Sequence, residues 1–110
     1  MSSIEVNKTV VHYREWGSGD SILIMLHGWP ADSGHYKELG PLLAKSGYRV
    51  IVPDLPGWGN TPAPEKAWNV SEYRDWVHDF ITELGFHKYS LFGHSFGGRV
   101  SIKYAVKYAT

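Results

Sequence analysis

One nine-residue stretch, Ser90-Leu91-Phe92-Gly93-His94-Ser95-Phe96-Gly97-Gly98, most constrains what this chain can fold into. Within it, Gly93 to Gly97 reads G-x-S-x-G. An expected strand, Lys88 to Phe92, runs directly into the pattern. An expected helix, Phe96 to about Ala109, runs directly out of it. A serine on so sharp a strand-to-helix turn is held in a strained backbone with its hydroxyl exposed. The residues two before and two after it come close together, so Gly93 and Gly97 supply the missing side chains. The helix that follows presents its positive N-terminal end to the serine, which favours negative charge developing there. Ser95 is therefore the candidate nucleophile and the turn a nucleophile elbow.

The rest of the chain alternates strands and helices. Ser3 to Val6 and Thr9 to Trp16 read as a hairpin turned at Asn7-Lys8. After the turn cluster Gly17 to Asp20, the apolar run Ser21 to Leu26 suits a strand buried on both faces. Asp32 and Ser33 are N-cap candidates for a helix reaching Lys45 and stopped by Gly47, with Pro41 bending or breaking it. Tyr48 to Val52 is the next strand, and Leu55 to Ala67 is a Pro- and Gly-rich loop. Asn69 and Glu72 have capping-box spacing. Val70, Tyr73, Trp76, Val77, Phe80, Ile81 and Leu84 then recur at helical spacing up to Gly85. Strand-helix alternation after a hairpin predicts an α/β fold, with a mostly parallel, helix-covered sheet that begins antiparallel.

Composition narrows the function classes. With 110 residues the chain is expected to lie within a single domain. Eleven basic residues balance eleven acidic ones, so neither nucleic acid nor an anionic membrane is an expected partner. There is no cysteine, which removes disulfides, thiolate metal sites and thiol nucleophiles. The longest apolar run, Ile22 to Leu26, is far short of the ~20 residues of a membrane span. Residues 1–8 have neither a basic start nor an apolar stretch of leader type, so the expectation is a cytoplasmic protein. No H-E-x-x-H, phosphate loop or G-x-G-x-x-G occurs, so no metal and no cofactor is expected.

A second motif, His27-Gly28-Trp29-Pro30, follows the apolar strand. Acyl transfer needs two N–H donors aimed at the oxyanion. Phe96, directly after the nucleophile, naturally supplies one. Pro30 has no N–H, so the other comes from Gly28 or Trp29, of which Trp29 is preferred. His12, His35, His78 and His87 read as surface or boundary residues, and His27 and His94 as packing and hydrogen-bonding within their loops. Asp54 reads as an anchor for the Pro-Gly loop. Asp75 and Asp79, and the stripe Arg99, Lys103 and Lys107, read as solvated.

The order of hairpin, apolar strand, His-Gly-Trp-Pro, the Val50 to Gly59 segment, helix and Gly-His-Ser-Phe-Gly-Gly resembles the α/β-hydrolase superfamily. That resemblance implies a serine hydrolase that cleaves an ester, amide, lactone or C–C bond through an acyl-enzyme on Ser95. It implies oxyanion donors at Trp29 and Phe96, and a small apolar ester-like substrate passing Trp29 and Trp58. Members that displace halide or open epoxides normally carry Asp at the nucleophile position, and Ser95 argues against those. His94 is not the triad base in this superfamily, where the acid and the base follow the nucleophile in the chain. Residues 1–110 are accordingly expected to be the N-terminal portion of one hydrolase domain, ending after the elbow helix, without triad acid or base and inactive alone. The strand before Ser95 would then be an exposed edge prone to self-association. The alternative is a non-catalytic protein that binds a ligand or partner on a hydrolase scaffold.

Overall fold

The computed structural model of the protein describes residues 1–108. Five strands form one mixed sheet in the order β1-β2-β4-β3-β5, where β1 is Ser2–Val6, β2 Thr9–Trp16, β3 Ser21–Leu26, β4 Tyr48–Pro53 and β5 Ser90–Gly93. The β1–β2 hairpin is antiparallel and β2 lies antiparallel to β4, while β3 runs parallel to both β4 and β5. Asn7 and Lys8 both have positive φ, the backbone of a two-residue hairpin turn whose twist matches its strands.

Side chains alternate across the sheet with the period of two that strands impose. Ile24, Leu26 and Ile51 enter a core shared with α2 (Val70–Leu84) and α3 (Phe96–Tyr108). Met25, Val50 and Val52 face the other way, toward Tyr36, which precedes α1 (Leu39–Lys45), and toward Leu43 on that helix. Both faces are covered, which is why β3 carries no polar alternation. Helix α2 starts at the expected capping box: Asn69 Oδ1 accepts from Glu72 N at 2.9 Å, and Glu72 Oε1 accepts from Asn69 N at 3.0 Å. It ends at Gly85, left-handed at φ 80°.

Two expected elements are drawn differently by the structure. The segment from Asp32 to Lys45 is a short 3₁₀ turn, Ser33–Tyr36, followed by the separate helix α1. Asp32 does cap that turn, accepting from Gly34 N at 2.7 Å. Pro41 cannot donate to a preceding carbonyl, so the α-helix begins only where Pro41 falls in its first turn, among N–H positions without intrahelical partners. Strand β5 starts at Ser90 rather than Lys88, because its ladder with β3 begins at the Leu23–Ser90 pair. It lies at the end of the sheet, with Phe92 42% exposed. The expected end of the last helix, near Ala109, lies outside the described residues. Among the described residues no helix is long and apolar enough to cross a membrane.

Candidate active site

Two neighbouring parallel strands, β3 and β5, deliver the two motifs to one end of the sheet. Their last ladder pair is Leu26–Gly93, so the residues that follow each strand meet at once. His94 N donates to Leu26 O at 3.3 Å, and Gly97 N donates to His94 O at 3.0 Å. Between them Ser95 takes φ 56°, a left-handed backbone that serine rarely adopts. Its side chain is exposed.

The glycines that flank Ser95 are explained by space. A Cβ on Gly93 would lie 2.3 Å from Gly97 O. One on Gly97 would lie 2.2 Å from Leu26 O and 2.8 Å from His27 O. Gly28 belongs to the same contact, since a Cβ there would stand 3.0 Å from Ser95 Cβ and 3.5 Å from its Oγ. The loop after β3 therefore presses its backbone against Ser95. Helix α3 begins beside it: Arg99 N donates to Ser95 O at 3.1 Å, so Phe96 N–H stands in the first turn, among the donors a helix leaves unpartnered.

His27 is fully buried, and both of its ring nitrogens are engaged. Leu55 N donates to Nε2 at 3.0 Å. Nε2 must then be the acceptor, which puts the proton on Nδ1, and Nδ1 donates to Gly28 O at 2.9 Å. Burial lowers the pKa of the ring, against the raising effects of the Gly28 bond and of Asp54 and Asp32. His27 is thus a neutral strut joining the loop after β3 to the loop after β4. The sequence placed its bonds within the motif loops; the partner it missed is Leu55. The available signal was that a histidine directly after an all-apolar strand is buried, and a buried imidazole needs partners for both nitrogens.

Asp54 is almost fully buried, accepting from Ser33 N at 2.7 Å and from Asn60 N at 3.0 Å. Both carboxylate oxygens are occupied in tying the start of the 3₁₀ turn to the loop after β4, the anchoring role expected of it. His94 is exposed, and its ring stacks on His35 with centroids 5.6 Å apart. Among the described residues, the histidine side-chain hydrogen bonds are the two made by His27. Ser95 and its exposed hydroxyl open onto a cleft of about 650 Å³ walled by Trp29, Trp68, Phe96 and Arg99. The Trp29 ring stacks on Phe96 at 4.3 Å, and Trp58 stands behind it at 5.4 Å. A separate cleft of about 350 Å³, between the hairpin and the Pro62–Lys66 loop, lacks Ser95 and both motif loops.

The structure corrects the reading of Asp75, Asp79, Lys103 and Lys107 as simply solvated, while Arg99 is exposed as expected. Asp75 accepts from Arg74 at 2.9 Å, Lys107 at 3.1 Å and Tyr108 at 2.6 Å. The hydrogen bonds from Arg74 and Tyr108 hold its carboxyl below the usual carboxylate range. Lys103 Nζ donates to Ser71 Oγ at 3.3 Å, and Asp79 accepts from Asn7 Nδ2 at 3.0 Å. Lys107, Tyr108, Lys103 and Asn7 belong to other elements packed against α2, which periodicity within one helix does not reveal.

Residues 21–110 match the alpha/beta hydrolase fold family, and the chain belongs to that family. It is 33% identical over 100 residues to a soluble epoxide hydrolase of Corynebacterium sp. (strain C12), a match covering 91% of this chain and 34% of that protein. It is 31% identical over 110 residues to the 2-hydroxy-6-oxononadienedioate/2-hydroxy-6-oxononatrienedioate hydrolase of Escherichia coli (strain K12), covering 94% and 38%. Among solved structures it resembles a bacterial membrane phospholipase A, with TM-score 0.91 and 28% identity over 97% of this chain and 35% of that one. The chain thus spans about a third of the length of the relatives it matches.

Proposed function

We propose that Ser95 is the nucleophile of a serine hydrolase that cleaves an ester, amide, lactone or C–C bond through an acyl-enzyme. The observation that carries this reading is the strained, exposed serine set between a β-strand and a helix N-terminus, with the loop after β3 packed against it. In the proposed reaction Ser95 Oγ attacks a carbonyl carbon, and the oxyanion is held by the N–H groups of Phe96 and Trp29. The Nδ1–H of His27 fixes Gly28 O on its own side. In a trans peptide the N–H points opposite the C=O, so Trp29 N–H faces away from the ring. This supports Trp29 over Gly28 as the second donor. A serine at this position favours acyl transfer over the epoxide hydrolysis for which the Corynebacterium relative is named. A small apolar substrate suits the walls of the cleft.

The general base lies outside residues 1–110 in this reading. His27 cannot serve, because Nε2 already accepts from Leu55 and Nδ1 carries its proton toward Gly28. A serine without its base is a weak nucleophile, so residues 1–110 alone turn over esters poorly. The test is fluorophosphonate labelling of the protein made in its own cells, followed by intact-mass and peptide analysis. Label on Ser95, lost in Ser95→Ala, is the expected result. In a species that extends beyond residues 1–110, a folded protein that leaves Ser95 unlabelled overturns the nucleophile reading and favours a non-catalytic ligand-binding role for the same cleft.

A further inference from the structure

Helices α2 and α3 lie side by side, and their polar residues meet in steps of four. Lys107 of α3 reaches Asp75 of α2. One turn back, Lys103 reaches Ser71. One further turn back on α3 stands Arg99, and the matching position on α2 would be Ala67. There α2 has already ended at its cap, Asn69. The rung that would engage Arg99 is missing, and the gap is the cleft beside Ser95, lined by Trp68, Phe96 and Arg99 itself. Among the described residues Arg99 makes no ion pair, unlike Arg49, Arg74 and Lys107. It is exposed and one helical turn from the serine, whose carbonyl accepts its N–H. Glu72, the nearest acid along α2, is committed to the capping box.

We propose that Arg99 is a specificity residue that selects substrates carrying a carboxylate on an apolar body. Its planar fork meets a carboxylate through two parallel hydrogen bonds. The aromatic walls take the apolar part, while the scissile carbonyl lies at Ser95. The substrate class rests on the Ser95 reading above; the anion preference of the cleft does not.

Titration calorimetry with 3-phenylpropanoate and its neutral isostere 3-phenylpropanamide tests this on the purified protein. The acid should bind about 5-fold tighter than the amide at low salt, a preference that shrinks as salt rises. Arg99→Gln should abolish the preference and leave amide binding unchanged. Lys103→Gln, whose partner is Ser71, should keep it. Arg99→Lys, which keeps the charge without the fork, should retain part of it and guards against misfolding of the glutamine variant. Equal affinity for acid and amide, or a preference that survives Arg99→Gln, overturns the proposal. Fluorophosphonate labelling separates the two readings. Label on Ser95 without an acid preference removes the anion pocket alone. An acid preference without label, in a species that extends beyond residues 1–110, keeps the pocket and removes the nucleophile.

Discussion

The loops after β3 and β5 sit side by side at the same end of the sheet, yet they are built in opposite ways. The first is closed: His27 and Gly28 are buried, and both nitrogens of the imidazole are engaged. The second is open: His94 and Ser95 are exposed, and Ser95 holds a backbone conformation that serine disfavours. The difference teaches a division of labour. If the proposed donors lie on the first loop, they must be held still, and that loop is locked by buried polar groups whose loss is expensive. If Ser95 is the proposed nucleophile, it must be reachable, and its loop is exposed and strained beside a rigid neighbour.

The largest expected effect falls on the closed loop. His27→Ala removes two buried hydrogen bonds, leaves Leu55 N–H and Gly28 O unpaired and opens a cavity. Together these should lower stability by about 4 kcal/mol. His94→Ala, on the exposed loop, should change it by less than about 0.5 kcal/mol. Urea unfolding of both variants checks the contrast, and similar losses would erase it.

The seam between the loops comes next. Gly97→Ala drives a Cβ to 2.2 Å from Leu26 O, a clash with backbone that cannot move aside. A loss of about 3 kcal/mol is expected. At Gly98 a Cβ would meet Gly93 O at 3.5 Å, an ordinary contact, and the site is helical. Gly98→Ala should therefore stabilise by up to about 1 kcal/mol. Opposite signs at adjacent glycines, read as shifts in Tm, are the outcome to look for. Two losses of equal size would show that the seam is not the cause.

The closed loop also sets a pH dependence. Burial holds the folded-state pKa of His27 below the ordinary value of 6.5. Below that pH the unfolded chain takes up a proton that the folded protein refuses, so stability is full above about 6.5 and declines as the pH falls. The contribution of this one group to the slope cannot exceed about 1.4 kcal/mol per pH unit. Subtracting the profile of His27→Gln from that of the parent isolates the effect. A difference that stays flat between pH 7 and 5 would contradict a neutral, buried imidazole.

Much of the fold was legible because its signals are local. The capping box at Asn69 and Glu72, the apolar stripe from Val70 to Leu84 and the stop at Gly85 each depend on residues within a few turns of one another. The elbow was legible for the same reason, its glycines being set two residues either side of Ser95. The break between Tyr36 and Leu39 was half legible, since Pro41 announced an interruption but not its position. What stayed hidden depends on partners far along the chain. His27 binds Leu55, 28 residues away, and Asp75 meets Lys107 and Tyr108, 32 and 33 residues away. The standing of Arg99 was hidden too. Its repeat with Lys103 and Lys107 read as uniform, and only the packing of α3 on α2 shows that the last rung has no counterpart.

The smallest effect separates strain from chemistry on the open loop. A non-glycine residue at φ 56° stores roughly 1–2 kcal/mol of backbone strain, part of which glycine returns through the entropy of its unfolded chain. Ser95→Gly should therefore be about 1 kcal/mol more stable than Ser95→Ala, although both remove the hydroxyl and both should abolish fluorophosphonate labelling. The alanine variant keeps the strained backbone without the hydroxyl, so the pair isolates conformation from reactivity. A shared Tm would mean that the elbow relaxes on losing the hydroxyl. Strain would then depend on the serine side chain, not on the backbone seam between Gly93 and Gly97.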